Sequence, residues 1–286
     1  MLIDAARTPA DLDAMVQRRV AGLPLEQVLG WAQFCGLRIA VVPGVFLPRR
    51  RTEFLVREAT ALGRVATSHL DRVAASPDDG TATRRLIVVD LGCGSGAVGA
   101  ALAATMHPVE LFAVDIDPVA VRCARRNLAG RHARVYHGDL YKPLPAWLHG
   151  RVDLLVANAP YVPTAEMRLL PPEARIHEPR VALDGGADGL DVQRRVIAAA
   201  AHWLAAGGHL LIETSERQAP RTVGTFARNG MIPRVSRSDD VDAVVVIGTR
   251  AAVERGQGDQ PTSPRVTRSP DCDTLPPRNP AVSKHR

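Results

Sequence analysis

The chain has 286 residues, 46% of them hydrophobic, and carries a net charge of +6 with an isoelectric point near 9.7. That is an ordinary share of apolar side chains, enough for one or two packed domains. Cys35, Cys93, Cys123 and Cys272 form no pair with metal-ligand spacing and the histidines are scattered, so neither a zinc centre nor a disulfide scaffold is expected; reduced thiols point to the cytoplasm. Asp4, Asp11 and Asp13 interrupt any apolar run near the start, and no later run is long enough to span a bilayer, so no export signal and no membrane partner is expected. The positive charge permits an acidic or nucleic-acid partner, although a solvated, arginine-rich surface is the simpler reading: the only lysines are Lys142 and Lys284.

In chain order, Pro9 to Val20 reads as a helix, Phe34 to Leu47 as a hairpin, and Thr52 to Leu70 as a second helix. Ser76 to Thr83 is a run of turn residues and reads as a linker. Strand and helix then alternate. Strands are expected at Leu86–Leu91, Leu111–Ile116, Arg134–Leu140, Val152–Ala157 and His209–Thr214, with two more near Ile232–Arg237 and Ala243–Thr249. Helices are expected at Ala97–Met106, at Pro118–Ala129 with its initial proline, at Gly189–Ala206 closed by Gly207-Gly208, and at Glu216–Asn229. Such repeats imply an α/β fold, a mostly parallel sheet with helices on both faces. Residues 251 to 286 are rich in Pro, Ser and Arg and bury too little to offset their ordering entropy; they read as a disordered tail. The domain reading is therefore residues 1–83, 84–250 and 251–286.

The first strand of the repeat runs into Asp90-Leu91-Gly92-Cys93-Gly94-Ser95-Gly96. In open α/β sheets ligands sit beyond the carboxyl ends of the strands, and glycines there let the backbone approach a ligand. Gly92-x-Gly94-x-x-Ala97 also satisfies a dinucleotide fingerprint, so a nicotinamide-dependent oxidoreductase stays open at this point. Asp115, at the end of the second strand, suits a ribose hydroxyl in either reading. Asp90 tips the balance without closing the choice: an acid just before the glycines can pair with the amino group of a methionine moiety and would not help a pyrophosphate. Asp139 can accept from the exocyclic amine of adenine while Leu140 packs on its ring, or Asp139 can serve only to cap the next turn.

After the fourth strand comes Asn158-Ala159-Pro160-Tyr161. A planar amide nitrogen has its lone pair delocalised and must be presented in line to a methyl donor. The Asn158 side-chain oxygen can accept one of its N–H groups and the Ala159 carbonyl the other, while Tyr161 stacks on the flat group and Pro160 stiffens the turn. The segment resembles the Asn-Pro-Pro-Tyr signature of S-adenosylmethionine-dependent amino-methyltransferases, with Ala159 at the first proline.

Further stretches are similar to the HemK/PrmC family: Pro24 to Gly30, Phe34 to Leu37, Leu47-Pro48-Arg49 with Thr52-Glu53, Glu178-Pro179-Arg180, Gly185-Gly186 and Asp188 to Asp191. The resemblance covers about residues 22 to 250. It implies a Rossmann-like class I methyltransferase fold with a seven-stranded sheet and a small N-terminal helical region. It also implies S-adenosylmethionine as cofactor and transfer to the N5 nitrogen of a protein glutamine, the Gly-Gly-Gln loop of a peptide-chain release factor in the best-known members. By resemblance, Gly92 to Gly96, Asp115, Leu140 and Asn158 line the cofactor pocket, and Asn158 to Tyr161 hold the target glutamine. Arg50-Arg51 stand where the family usually has proline and an acid, and the N-terminal region is short for the family. The alternative is an RNA or DNA exocyclic-amine methyltransferase, whose target nitrogen makes the same demands; the chain has no room for a duplex-recognition domain, which leaves RNA as the nucleic-acid partner to consider. The polar run from Pro163 to Gly189 reads as a loop covering the substrate, with Glu178 and Arg180 as an internal ion pair.

Overall fold

Leu86–Leu91 contains one polar residue, Asp90, and every one of its side chains is buried, so both faces of this strand are covered. The computed structural model describes residues 1–74, 85–106 and 108–252, and residues 1–252 form one compact unit. The elements are α1 (Leu2–Ala5), α2 (Pro9–Val20), α3 (Leu25–Leu29), β1 (Trp31–Phe34), β2 (Leu37–Ala40), α4 (Thr52–Ala74), β3 (Leu86–Leu91), α5 (Ala97–Thr105), β4 (Val109–Asp115), α6 (Pro118–Asn127), β5 (Ala133–His137), β6 (Val152–Ala157), α7 (Pro172–His177), α8 (Asp191–Trp203), β7 (Leu204–Thr214), α9 (Ala219–Arg228), β8 (Met231–Ser238) and β9 (Ala243–Arg250). The expected linker and nearly all of the expected tail lie outside the described residues.

β3 to β9 form one seven-stranded sheet in the order β5-β4-β3-β6-β7-β9-β8. The pairs among β3 to β7 are parallel, and β9 runs antiparallel to both its neighbours. From β3 the chain moves outward one way to β4 and β5, then returns to place β6 on the other side. The crevice at the carboxyl ends of β3 and β6 is thus the topological switch point, the usual ligand position of such sheets.

Alternation along β3 divides the core. Leu86 and Val88 face a layer that includes Phe54 and Leu55 of α4, Ala100 and Leu102 of α5 and Ala124 of α6. Ile87, Val89 and Leu91 face the other, with Val196 and Ala200 of α8 and Phe226 of α9. Gly63 lets α4 lie close on its layer: a Cβ there would stand 2.4 Å from Met106 Sδ. That packing carries Thr52, the first residue of α4, to the crevice.

Several boundaries differ from the sequence reading: the third strand ends at His137 and not at Leu140, and two further differences have a clear cause. The hairpin is earlier and tighter, turning at Cys35 and Gly36, both with positive φ (46° and 77°), as a two-residue turn that follows the strand twist requires. Gly207-Gly208 does not close a helix; α8 ends at Trp203 and both glycines lie inside β7. A Cβ on Gly208 would come 2.8 Å from the Val152 carbonyl, and the β6–β7 register shifts between Val152 and Leu154, so the pair serves that shift in register. Among the described residues no helix is long and apolar enough to cross a membrane, and no cluster of acids, histidines and cysteines is placed to hold a metal.

Candidate active site

Two cavities meet at the carboxyl end of β6. The first encloses about 1100 Å³, its open mouth included, and is lined by the loop after β3, the ends of β4 and β5, and Asn158. The second is lined by Arg49 and Arg51 before α4, by Ala159 and Tyr161, and by the segment from Leu170 to Leu183. Asn158 and Pro160 line both, so the Asn158–Tyr161 segment is the partition between them.

Gly92 and Gly94 have φ of 69° and 54°, and nothing lies within 4 Å of where a Cβ would stand. Their backbone faces open space, a cradle that side chains would obstruct. Cys93 and Ser95 are buried in the same loop; burial pushes the Cys93 thiol well up and keeps it protonated. Gly96 immediately precedes α5 and packs against Ala124 of α6, with its Cβ position 3.0 Å from the Ala124 Cα.

Asp90 is 2% exposed, and its Oδ2 accepts the Gly99 N–H at 3.0 Å. Burial pushes its pKa up to about 7, against the pull of that hydrogen bond. Asp115 accepts the Gly94 N–H at 2.7 Å and the Asp117 N–H at 2.8 Å, one on each oxygen, so its carboxylate is fixed in the first cavity. Burial raises its pKa too, opposed by those N–H groups. Asp139 lies beyond the end of β5. Both of its oxygens receive Arg195 Nη2 at 2.7 Å and Lys142 adds a contact at 2.9 Å; the Arg195 hydrogen bond leads in holding its carboxyl below the usual range. The carboxylate is thus already engaged by two cations. Leu140 follows with φ of 50°, a left-handed conformation that few branched residues adopt, and lines the first cavity.

Asn158 donates from Nδ2 to Thr52 Oγ1 at 3.2 Å. With its nitrogen engaged there, the side-chain oxygen is the end left to accept. Ala159 is 3% exposed. Tyr161 is half-buried beneath the Arg51 guanidinium, 5.6 Å from its ring centre, and burial pushes its phenol up to about 12. The segment is clamped from behind. Gln218 Nε2 donates to the Tyr161 carbonyl at 2.9 Å and the Asp188 carbonyl at 3.1 Å, and Val162 exchanges hydrogen bonds with Leu183 and Gly185. A Cβ on Gly189 would stand 2.3 Å from the Tyr161 carbonyl oxygen, and one on Gly185 would stand 2.7 Å from that of Pro160. Gly185 and Gly189 are there because the chain passes against the motif.

The polar run after Pro163 is a wall of the second cavity, built from two 3-10 turns and α7. Its expected internal ion pair does not form. Glu178 pairs with Arg49, and Arg180 pairs with Asp184 at 2.8 Å, because the helical turn at Arg180–Ala182 directs Arg180 back onto Asp184. Together with Arg19 to Glu173 at 2.7 Å and Gln27 to the His177 carbonyl at 3.4 Å, the Arg49 contact fastens this wall to the N-terminal region. Thr52, Arg51, Gln218 and Glu213 were not singled out by their types; Thr52 sits 106 residues from Asn158, and only its place in the Leu47–Glu53 resemblance marked it.

The chain matches the family described as Methyltransferase small domain over residues 78–227. It is 36% identical over 252 residues to the Release factor glutamine methyltransferase of Geobacter sulfurreducens, covering 86% of this chain and 81% of that one. It is also 36% identical over 215 residues to a 4-amino-L-phenylalanine/4-methylamino-L-phenylalanine methyltransferase of Streptomyces pristinaespiralis, covering 75% and 69%. Among solved structures, a T. thermophilus 16S rRNA N2 G1207 methyltransferase in complex with AdoMet and guanosine superposes with a TM-score of 0.50 at 20% identity, over 77% of this chain and 49% of that one. The sheet order, the cavity at its switch point and these matches define a class I S-adenosylmethionine-dependent N-methyltransferase. Within that class the chain belongs to the release factor glutamine methyltransferase (HemK/PrmC) family.

The first cavity suits the cofactor. The open cradle at Gly92 and Gly94 admits a ligand against the backbone, and a buried acid with raised pKa beside open space suits an ammonium group, whose charge would keep it ionised.

Proposed function

We propose that this enzyme methylates the side-chain amide nitrogen of a glutamine in a protein, and that the protein is a peptide-chain release factor. The observation that carries the reading is the partition: Asn158 and Pro160 face the cofactor-side cavity and the second cavity at once, and Asn158 has its nitrogen engaged by Thr52 Oγ1, which leaves its oxygen to accept. The release-factor substrate is taken from the names of the relatives, which match this chain over most of its length.

On this reading Asp90 takes the amino group of the methionine moiety, the backbone of Gly92 to Gly96 lies along the cofactor, Asp115 takes a ribose hydroxyl and Leu140 packs on the adenine. Asp139 acts through its ion pair with Arg195, which shapes the adenine end, more than as a free acceptor. When bound, S-adenosylmethionine supplies a methyl carbon on a sulfonium sulfur; that carbon–sulfur bond breaks as the nitrogen–carbon bond forms, and the surplus proton on nitrogen passes to solvent. Asn158 Oδ1 and the Ala159 carbonyl hold the two N–H groups of the target amide, fix its plane and stabilise the positive charge it gains. Tyr161 packs against the amide face, with Pro160 stiffening the turn.

The regions divide the task. From residues 1–83, Phe34, Phe46, Pro48 and Thr52 line the cofactor side and Arg49 and Arg51 the substrate side, while residues 84–250 supply most of the rest of both cavities. The test is transfer of a labelled methyl group to purified release factor, followed by mass spectrometry of the labelled peptide. Label on the amide nitrogen of a glutamine is expected; label found in RNA and not in the release factor would overturn the assignment.

A further inference from the structure

Glu213 is the penultimate residue of β7, 1% exposed, and follows Leu210, Leu211 and Ile212, all fully buried. Neither of its oxygens completes a hydrogen bond of standard geometry. A carboxylate so placed is costly to desolvate, and an apolar residue would serve the core better. Its surroundings explain its presence. Burial raises its pKa; the Thr52 hydroxyl, the Arg51 guanidinium, whose Nε stands 3.3 Å from Oε1, and the Tyr161 hydroxyl bear on the same carboxylate and oppose that rise. All three belong to segments that line the two cavities, and Thr52 is the hydroxyl that receives the Asn158 nitrogen.

We infer that Glu213 is a positioning residue for methyl transfer: as an acceptor-only group it draws the Thr52 hydroxyl proton toward itself, so that Thr52 can only accept from Asn158, and it holds the Tyr161 hydroxyl on the other flank of the partition. A hydroxyl has one proton to give. While that proton points at Glu213, the Thr52 oxygen must be met by the Asn158 NH2, and the Asn158 oxygen turns to the substrate. Were the hydroxyl to donate to Asn158 instead, the carboxamide would rotate and offer a donor where the target amide needs an acceptor. Arg51 balances the charge. The other titratable groups bearing on Glu213 are Arg49 and Tyr161; its β9 neighbour Val245 and Gln193 of α8, whose Nε2 donates to the Glu213 carbonyl at 3.4 Å, bring no charge.

The inference rests on Asn158 as acceptor for the target amide, and its test separates the two. Glu213→Gln keeps the shape and removes the obligation to accept. In the full-length protein, kcat for release-factor methylation is expected to fall about tenfold to a hundredfold, with cofactor Kd within about threefold. Thr52→Val should lose a similar factor, and the double variant should be no worse than either alone, because the two act in one chain. The wild-type kcat should fall on the acid side as Glu213 takes a proton, and that limb should vanish in Glu213→Gln. Independently of turnover, the Asn158 side-chain NH2 resonances should shift in both single variants. Wild-type turnover in Glu213→Gln, or unmoved Asn158 resonances, would overturn the inference. Wild-type protein that leaves the release factor unlabelled would instead refute the substrate, with the Asn158 resonances still deciding the role of Glu213. Should Glu213→Gln fail to fold, the wild-type protein carries the test: the Asn158 NH2 resonances should shift along the acid limb of kcat, and a flat profile with unmoved resonances would overturn the inference.

Discussion

The Asn158 side chain hands its nitrogen to the Thr52 hydroxyl at 3.2 Å, so the first residue of α4 decides how the first residue after β6 faces the crevice. The contact joins a helix packed on the sheet to the loop that divides the two cavities, and it makes the loop's chemistry depend on where the helix lies.

Asn158→Ala removes the free acceptor without touching the glycine cradle. Methyl transfer is expected to drop by about a hundredfold or more, while cofactor affinity stays within several-fold. Single-turnover assays beside calorimetric titration check both halves, and undiminished transfer would show that another group orients the amide.

Asp90 ties cofactor affinity to pH. Its carboxyl titrates near pH 7 in the folded protein, so below that value it is protonated and loses its attraction for an ammonium. Cofactor Kd should rise as pH falls from 8 to 6, and Asp90→Asn should bind weakly with little dependence on pH.

The same residue carries a stability consequence of opposite sense. Its folded pKa lies above the ordinary carboxylate value of 3.8, so it costs nothing below that pH and destabilises progressively as pH rises toward about 7. Asp90→Asn should therefore stabilise the cofactor-free protein at pH 8, by on the order of 2–4 kcal/mol as an upper range. Denaturant unfolding at pH 8 and pH 4 gives the comparison; equal gains at both would assign the effect to packing.

Gly189→Ala tests the clamp behind the partition. At φ of 77° an added Cβ meets the Tyr161 carbonyl at 2.3 Å and Gln218 Nε2 at 2.4 Å, so backbone must move. A loss of about 2–4 kcal/mol in stability is expected, with transfer falling more than cofactor binding.

Asp139 and Asp115 should respond differently. Arg195 and Lys142 occupy Asp139, whereas Asp115 holds the cradle itself through the Gly94 N–H. Asp139→Ala should weaken cofactor binding by less than about fivefold, and Asp115→Ala by more than about tenfold. The reverse order in a titration would restore Asp139 as a direct ligand.

Much of the fold was legible because its signals are local. β3 and β6 are buried on both faces and read as short runs of Leu, Val and Ile, and Pro118 marks the start of α6 with Asp117 capping the Val119 N–H at 2.7 Å. The glycine loop and Asn158–Tyr161 stand out by type and by position after strands. The rest depends on contacts remote in sequence. Nothing beside Asp139 foretells Arg195, 56 residues on, and Glu213 looks like a strand-end acid until Arg51, Thr52 and Tyr161 converge on it. Gly207-Gly208 carries the composition of a helix stop, and only the neighbouring strand turns it into a shift of register.

Asn127 gives its Nδ2 to the carbonyls of Ala40 and Ser95 at 2.9 and 2.8 Å and takes the Ala40 N–H at 2.9 Å. One carboxamide at the end of α6 thereby stitches the β2 edge of the hairpin to the cofactor loop, while Phe34 and Ile39 share a core with Val88. A fragment cut to begin at β3 would leave that seam open, with its lining of apolar side chains bare to water, and would be expected to come out of cells as aggregate instead of a minimal enzyme.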